Sequence, residues 1–467
     1  MPVNSYDVVR YPTFPRQQMH PDRLAAVATL FGLRPAPVNG CRVLEIGCGD
    51  GGNLIPMAYY LPRSRFVGVD LAAEPVSAGR QTITELGLEN AELQAADLRE
   101  IGPGWGEFDY IVAHGVYSWV PEEVREALLA VCRERLAPAG IAFVSYNTLP
   151  GGHVQQMLRE MMLHAIRGEN DPRERTRAAR AFLERLRRKP LLNAAWQGLM
   201  DYETKVLLDK SEQVLCHDDL ETFHQRFYFR QFVAAAQRYG LEYVGEAEPH
   251  EMFDPYGALE GFEGDFLARE QELDFFKARR FRQTLLCRPE QRPGREIAPP
   301  QMRGFLFAAD VREEDERIAG LRGARIRKSD REAAQVARAI GEVYPLPAAF
   351  EELIPYAGSE ERLCQIVFGM ALSGFADLHV YDFPCQEEVT ERPRANRLVR
   401  YQAARSQLVA SVAHFMVSLD DVGRRLVELA DGSHSVEEIA GGLGVEDAEE
   451  FVPPCLEWLA SRGLLDG

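Results

Sequence analysis

The run VLEIGCGDGGN, Val43 to Asn53, constrains the fold more than any other stretch of the chain. A short apolar segment reads as a buried strand, and Gly47, Gly49, Gly51 and Gly52 then let the backbone turn sharply and approach a ligand before a helix begins. Gly47, Gly49 and Gly52 also satisfy GxGxxG, so the turn by itself admits NAD and other adenosine ligands alike.

The neighbouring strands discriminate between them. Glu45 sets a carboxylate at the end of the first strand, where an anion repels a pyrophosphate but can hold an ammonium. That disfavours NAD and favours the methionine end of S-adenosylmethionine. RFVGVDL, Arg65 to Leu71, is a second strand ending in Asp70, at the distance where an acidic residue meets ribose hydroxyls, a feature common to both cofactors. AELQAADL, Ala91 to Leu98, is a third, with Asp97 placed to accept from an adenine amino group and Leu98 to pack on the ring. Strands over 42–46, 66–70, 91–95, 109–113 and 141–146 alternate with amphipathic stretches at 52–61, 75–87 and 121–136, which predicts a parallel sheet covered on both faces. Ligands of such sheets sit at the carboxyl ends of the strands, where these acidic residues emerge.

Taken together, EIGCGDGGN, GVDLA, AADL and FDYIVAHGVYSWVPEEV resemble the class I S-adenosylmethionine-dependent methyltransferases. Within them, HGVYSWVP, SYNTLPG and EQELDFFKARRFRQTLLCR resemble bacterial methyltransferases that carry a so-called regulatory domain, a group that includes rickettsial protein lysine methyltransferases acting on outer-membrane protein. The resemblance covers residues 1 to about 290 well and the remainder loosely. It implies an α/β fold, a Rossmann-like seven-stranded methyltransferase sheet whose last strands, Gly240–Pro249 and Arg282–Arg288, form an antiparallel hairpin. It implies S-adenosylmethionine as cofactor, held by Glu45, Gly47, Cys48, Gly49, Asn53, Asp70, Leu71, Asp97, Leu98 and His114. It also implies an N-terminal arm closing over the site, with Tyr11 and His20 near it.

Methyl transfer from a sulfonium is an in-line displacement, so a protein mainly aligns the acceptor and excludes water, and an amine acceptor must be neutral. The HGVYSWVP loop follows the fourth strand, and Tyr117, Trp119 and, after the fifth strand, Tyr146 are expected to shape the acceptor channel. Asn147 is expected to bind a substrate carbonyl or orient a neighbouring loop. Trp119 can equally seat the helix that begins at Pro121. His217 and His224 stand seven apart, and the carboxylates between them, Asp218, Asp219 and Glu221, are good helix-start residues, so no metal is expected.

A net charge of −18 disfavours nucleic acid as a partner and attracts a basic one; the resemblance points to a protein lysine, and a small-molecule acceptor stays open. Eight cysteines without a CxxC pair, no basic leader and no apolar run near the ~20 residues of a membrane span predict a cytoplasmic protein. The expected organisation is a methyltransferase domain over 1–290, with an arm at 1–35, a helical insertion at 151–230 and the last two strands at about 240–288. A winged-helix-like domain over 302–382 and a small helical module over 383–467 follow the Pro-rich linker Arg288–Gln301, making the C-terminal region mainly helical. Substrate recruitment, regulation and formation of a homodimer are the three roles open to that region.

Overall fold

The computed structural model describes residues 8–189, 193–254, 257–385, 388–445 and 447–466; the first seven residues of the expected arm lie outside the described residues. Seven strands, β1 (Arg42–Ile46), β2 (Arg65–Asp70), β3 (Ala91–Ala95), β4 (Phe108–Ala113), β5 (Leu136–Asn147), β6 (Glu242–Glu246) and β7 (Phe281–Cys287), form one sheet in the order β3-β2-β1-β4-β5-β7-β6. The first five are parallel and β7 runs antiparallel between β5 and β6. Strand β5 starts five residues before the expected 141, because Leu136 pairs with Phe108 across an irregularity in the β4 register.

Side chains alternate across each strand, so the sheet has two cores. On one face Val43, Tyr110 and Phe143 pack under α1 (Pro21–Leu30), α2 (Leu54–Tyr60) and α3 (Ala73–Leu86). On the other, Leu44, Val69, Ile111 and Val144 pack under α4 (Glu122–Arg135) and α9 (Phe229–Arg238). Helix α3 stops where Gly87 takes a left-handed φ of 65°. Between α4 and α9 the insertion folds as α5 (Gly152–Ala165), α6 (Pro172–Arg188), α7 (Ala194–Asp209) and α8 (Glu212–Asp219), around Leu158, Met162, Leu183 and Leu215.

Beyond β7, three helices (Arg331–Val343, Phe350–Ala357, Glu360–Ser373) pack with the short strands Leu306–Ala308, Ala348–Ala349 and Asp377–His379. A small antiparallel meander over 312–327 precedes the three helices. Helix α1 ties these parts to the sheet. Asp22, in its first turn, accepts from the Val380 and Tyr381 N–H groups at 2.8 and 2.9 Å and pairs with His379 at 2.7 Å. The capping atom is His20 Nδ1, which accepts from the Asp22 N–H at 3.2 Å. Among the described residues, no helix is long and apolar enough to cross a membrane.

Residues of the EQELDFF and FFKARRFRQ runs form a buried ion cluster. Helix α10 (Phe266–Lys277) places Glu270 and Asp274 one turn apart, so both face Arg282 of β7, at 3.2 and 2.9 Å, and Glu246 of β6 meets it at 2.5 Å. The guanidinium also lies 4.0 Å from the centre of the Phe229 ring. Removing one partner of a buried ion cluster strands the others without solvent. Arg282→Ala is therefore expected to cost about 3–5 kcal/mol in denaturant unfolding, against well under 1 kcal/mol for the exposed Arg188→Ala.

Candidate active site

A cavity of about 820 Å³ opens at the carboxyl ends of β1, β2, β4 and β5. Its floor is the glycine turn. Gly47 and Gly49 take φ of 78° and 56°, a left-handed backbone in which a side chain is strained, and a Cβ on Gly47 would also meet Val116 Cγ2 at 2.7 Å. The turn is tied to β2 through the Gly47 and Cys48 N–H groups, which donate to the Val69 carbonyl at 2.8 and 3.2 Å. Its roof is the arm: the Gly52 N–H donates to Thr13 Oγ1 at 3.0 Å and the Arg16 N–H to Asn53 Oδ1 at 3.0 Å. Thr13 also hydrogen-bonds Asp50.

The carboxylates occupy distinct environments. Glu45 is 3% exposed and accepts from Asn53 Nδ2 at 3.1 Å. Burial, with Asp70 nearby, pushes its carboxyl up from 4.5 to about 8. At roughly 1.4 kcal/mol per unit this is about 5 kcal/mol against ionisation, comparable to the about 4 kcal/mol that an ammonium at 4 Å returns in a partly screened site. Asp70 accepts from the Gly49 and Ala72 N–H groups, each at 2.8 Å, so it orders the turn as well as facing the cavity. Asp97 pairs with the exposed Arg99 at 2.6 Å, which holds its carboxyl below the usual range. Leu71, 67% exposed, and Leu98 supply apolar wall. His114 Nδ1 is buried with no hydrogen-bond partner among the described residues, and burial pushes the imidazole down to about 3, so it is neutral.

Tyr11, Glu45, Gly47, Asn53, Asp70, Leu71, Asp97, Leu98, His114, Trp119 and Asn147 are brought together on the cavity wall. Five other expected residues are not. His20 caps α1 and packs on His414, at 5.1 Å between ring centres. Cys48 turns under the glycine bend, where a Cβ on Gly68 would meet its Sγ at 2.8 Å. Gly49 acts through its N–H on Asp70. Tyr146, one residue before Asn147, points to the opposite face of β5 and stacks on Phe232 at 4.0 Å. Tyr117 packs edge-on to Phe227 and Phe232 in that same core. The channel expected from Tyr117 and Tyr146 is thus corrected: both rings support the wall from behind.

The insertion supplies what the sequence reading passed over. Asp218 and Asp219 of α8 line the cavity with Glu221, Phe223 and His224. Lys210 Nζ reaches Asp219 at 2.7 Å and Asp218 at 3.3 Å, and Tyr11 Oη donates to Asp218 at 3.3 Å. His224 lies edge-on to Trp119 at 5.4 Å. Arg226 Nη1 can only donate, so His224 Nδ1, 3.1 Å away, accepts. Burial and nearby cations push this imidazole down to about 3. A neutral ring then carries its proton on Nε2, and the Asn147 amide 2.8 Å away presents its oxygen there by a half-turn about χ2, leaving the NH2 as its second arm. The signal is the string HDDLETFHQR, whose carboxylates by themselves resemble a helix start.

A family described as methyltransferase domain matches residues 43–140, a predicted methyltransferase regulatory domain matches 211–288, and the PKMT C-terminal winged helix domain matches 391–450. The chain is 36% identical over 236 residues to the uncharacterized protein RP028 of Rickettsia prowazekii, covering 50% of this chain and 94% of that one. It is 35% identical over 314 residues to RP789 of the same organism, covering 66% of this chain and 57% of that protein, so it spans a little over half of RP789. PKMT2 from Rickettsia typhi, solved in complex with AdoHcy, matches with a TM-score of 0.85 at 27% identity over 98% of this chain and 100% of that one. The chain belongs to the S-adenosylmethionine-dependent methyltransferases that carry this regulatory domain and winged helix.

A carboxyl whose pKa is raised on folding keeps its proton longer in the folded state, so its ionisation lowers stability as pH rises from 4.5 through about 8. Glu45→Gln is expected to raise the melting temperature of the ligand-free protein at pH 9 and to leave it nearly unchanged at pH 5. Equal shifts at both pH values contradict the burial account.

Proposed function

We propose that this chain transfers the methyl group of S-adenosylmethionine to lysine side chains of protein. When bound, the sulfonium donor supplies an activated methyl group, and the chain's residues bind, orient and keep water away. Glu45 holds the donor's ammonium, Asp70 its ribose hydroxyls, and Asp97 with Leu98 and Leu71 its adenine. His114 offers a neutral imidazole to the donor's edge.

The observation that carries the lysine reading is the acceptor end of the cavity. Asp218, Asp219 and Glu221 outnumber Lys210, which pairs with the first two, so the rim keeps an acidic excess for an ammonium, and the indole of Trp119 with the neutral His224 forms an inner wall. Arg226 also lines the cavity, and its positive charge, with that of the sulfonium, favours the free amine over the ammonium. The NH2 arm of Asn147, fixed through His224, is a donor for a substrate carbonyl. The AdoHcy-bound PKMT2 and the PKMT winged helix support the same reading.

Incubation of the full chain with methyl-labelled S-adenosylmethionine and cell protein extract is expected to yield label that acid hydrolysis recovers as methyllysine. Label confined to a metabolite pool would replace the reading with a small-molecule methyltransferase. Trp119→Ala is expected to raise the acceptor KM roughly tenfold through loss of ring-face contact, leaving AdoHcy affinity unchanged.

A further inference from the structure

One side chain from the C-terminal region reaches Asn53, a residue of the cavity wall, from behind. The strands Leu408–Ala410 and Met416–Ser418 form a hairpin, and His414 in its turn is 1% exposed with a φ of 59°. That left-handed backbone is uncommon for a residue with a side chain, so the turn holds the imidazole at a conformational cost. Its Nε2 lies 2.9 Å from Asn53 Oδ1. The main-chain N–H of Arg16 donates to that same atom at 3.0 Å, which identifies it as the amide oxygen and makes Nε2 the proton-bearing nitrogen. The other end of the amide, Nδ2, donates to Glu45 Oε2 at 3.1 Å. The hairpin is itself anchored to the arm and to α2: Gln17 Nε2 donates to the Ala413 carbonyl at 3.1 Å and Tyr60 Oη to the Ala410 carbonyl at 3.0 Å.

We propose that His414 is a positioning residue for cofactor binding, orienting Asn53 and through it Glu45, so that the C-terminal region completes the cofactor pocket. The proposal rests on the reading of Glu45 as the group that holds the donor's ammonium. Donation runs one way, from His414 and Arg16 to Asn53 and from Asn53 to Glu45. Without the imidazole the amide keeps one donor on its oxygen and rotates more freely, and a reversed amide sets its oxygen against the carboxylate that must ionise. The loss corresponds to about one net hydrogen bond, roughly five- to tenfold in affinity. Linkage makes the effect reciprocal, so a bound cofactor tightens the hairpin turn.

Calorimetry with AdoHcy on the full chain tests this with His414→Ala and with His414→Gln, whose amide nitrogen can donate from near the Nε2 position. His414→Ala is expected to weaken binding roughly five- to tenfold and to raise the KM for the methyl donor rather than lower kcat, with His414→Gln close to the native affinity. Native affinity in His414→Ala overturns the proposal, as does equal weakening in both variants, which assigns the residue to folding alone. Exchange of the 411–415 amides in the native chain gives a readout independent of any variant: AdoHcy is expected to slow it, and unchanged exchange overturns the coupling. If the native chain takes up no AdoHcy, it is the methyl-donor reading of the cavity that fails.

Discussion

A carboxyl buried at the tip of a central strand, with the glycine turn beside it, is the constraint on which the rest of the site depends. Glu45 is costly to ionise where it sits, and an apolar residue there would fill the position at no such cost. The glycines remove the side chains that would stand between it and a ligand. Asp70 and Asn53 then organise the backbone on either side. A ligand that brings an ammonium to this point recovers most of the ionisation cost, and a pyrophosphate adds to it. The choice between two adenosine cofactors that share a glycine pattern is therefore electrostatic.

The acceptor end follows a different logic. The carboxylates there lie at the rim, on α8 and the segment after it, and the inner wall is the Trp119 indole and the neutral His224 imidazole, with Arg226 beside it. An approaching ammonium meets carboxylates first and Arg226 with the neutral rings second, which is the order an amine needs if it is to arrive charged and react uncharged.

Much of this was legible in the chain. Strands β1, β2 and β4 announce themselves by short, mostly apolar runs, and acids follow at three strand tips. Parity misled the reading at Tyr146: neighbours on a strand face opposite ways, and Asn147, not Tyr146, meets the cavity. The meander over 312–327 has strands of two or three residues with mostly charged, exposed side chains, so no hydrophobic period reveals it. Asp22 has the local context of a helix cap, and a partner 357 residues away claimed its carboxylate. Asp218, His224 and His414 reach the site through the packing of the insertion and the C-terminal hairpin. No local pattern encodes that.

The most direct measurement is the titration of Glu45 by carboxyl carbon NMR in the full chain, free and saturated with AdoHcy. The account predicts a pKa near 8 in the free protein and a fall to the ordinary carboxylate range or below on binding, as the ligand ammonium stabilises the ionised form. An ordinary pKa in the free protein, or a raised one that AdoHcy leaves in place, would contradict it.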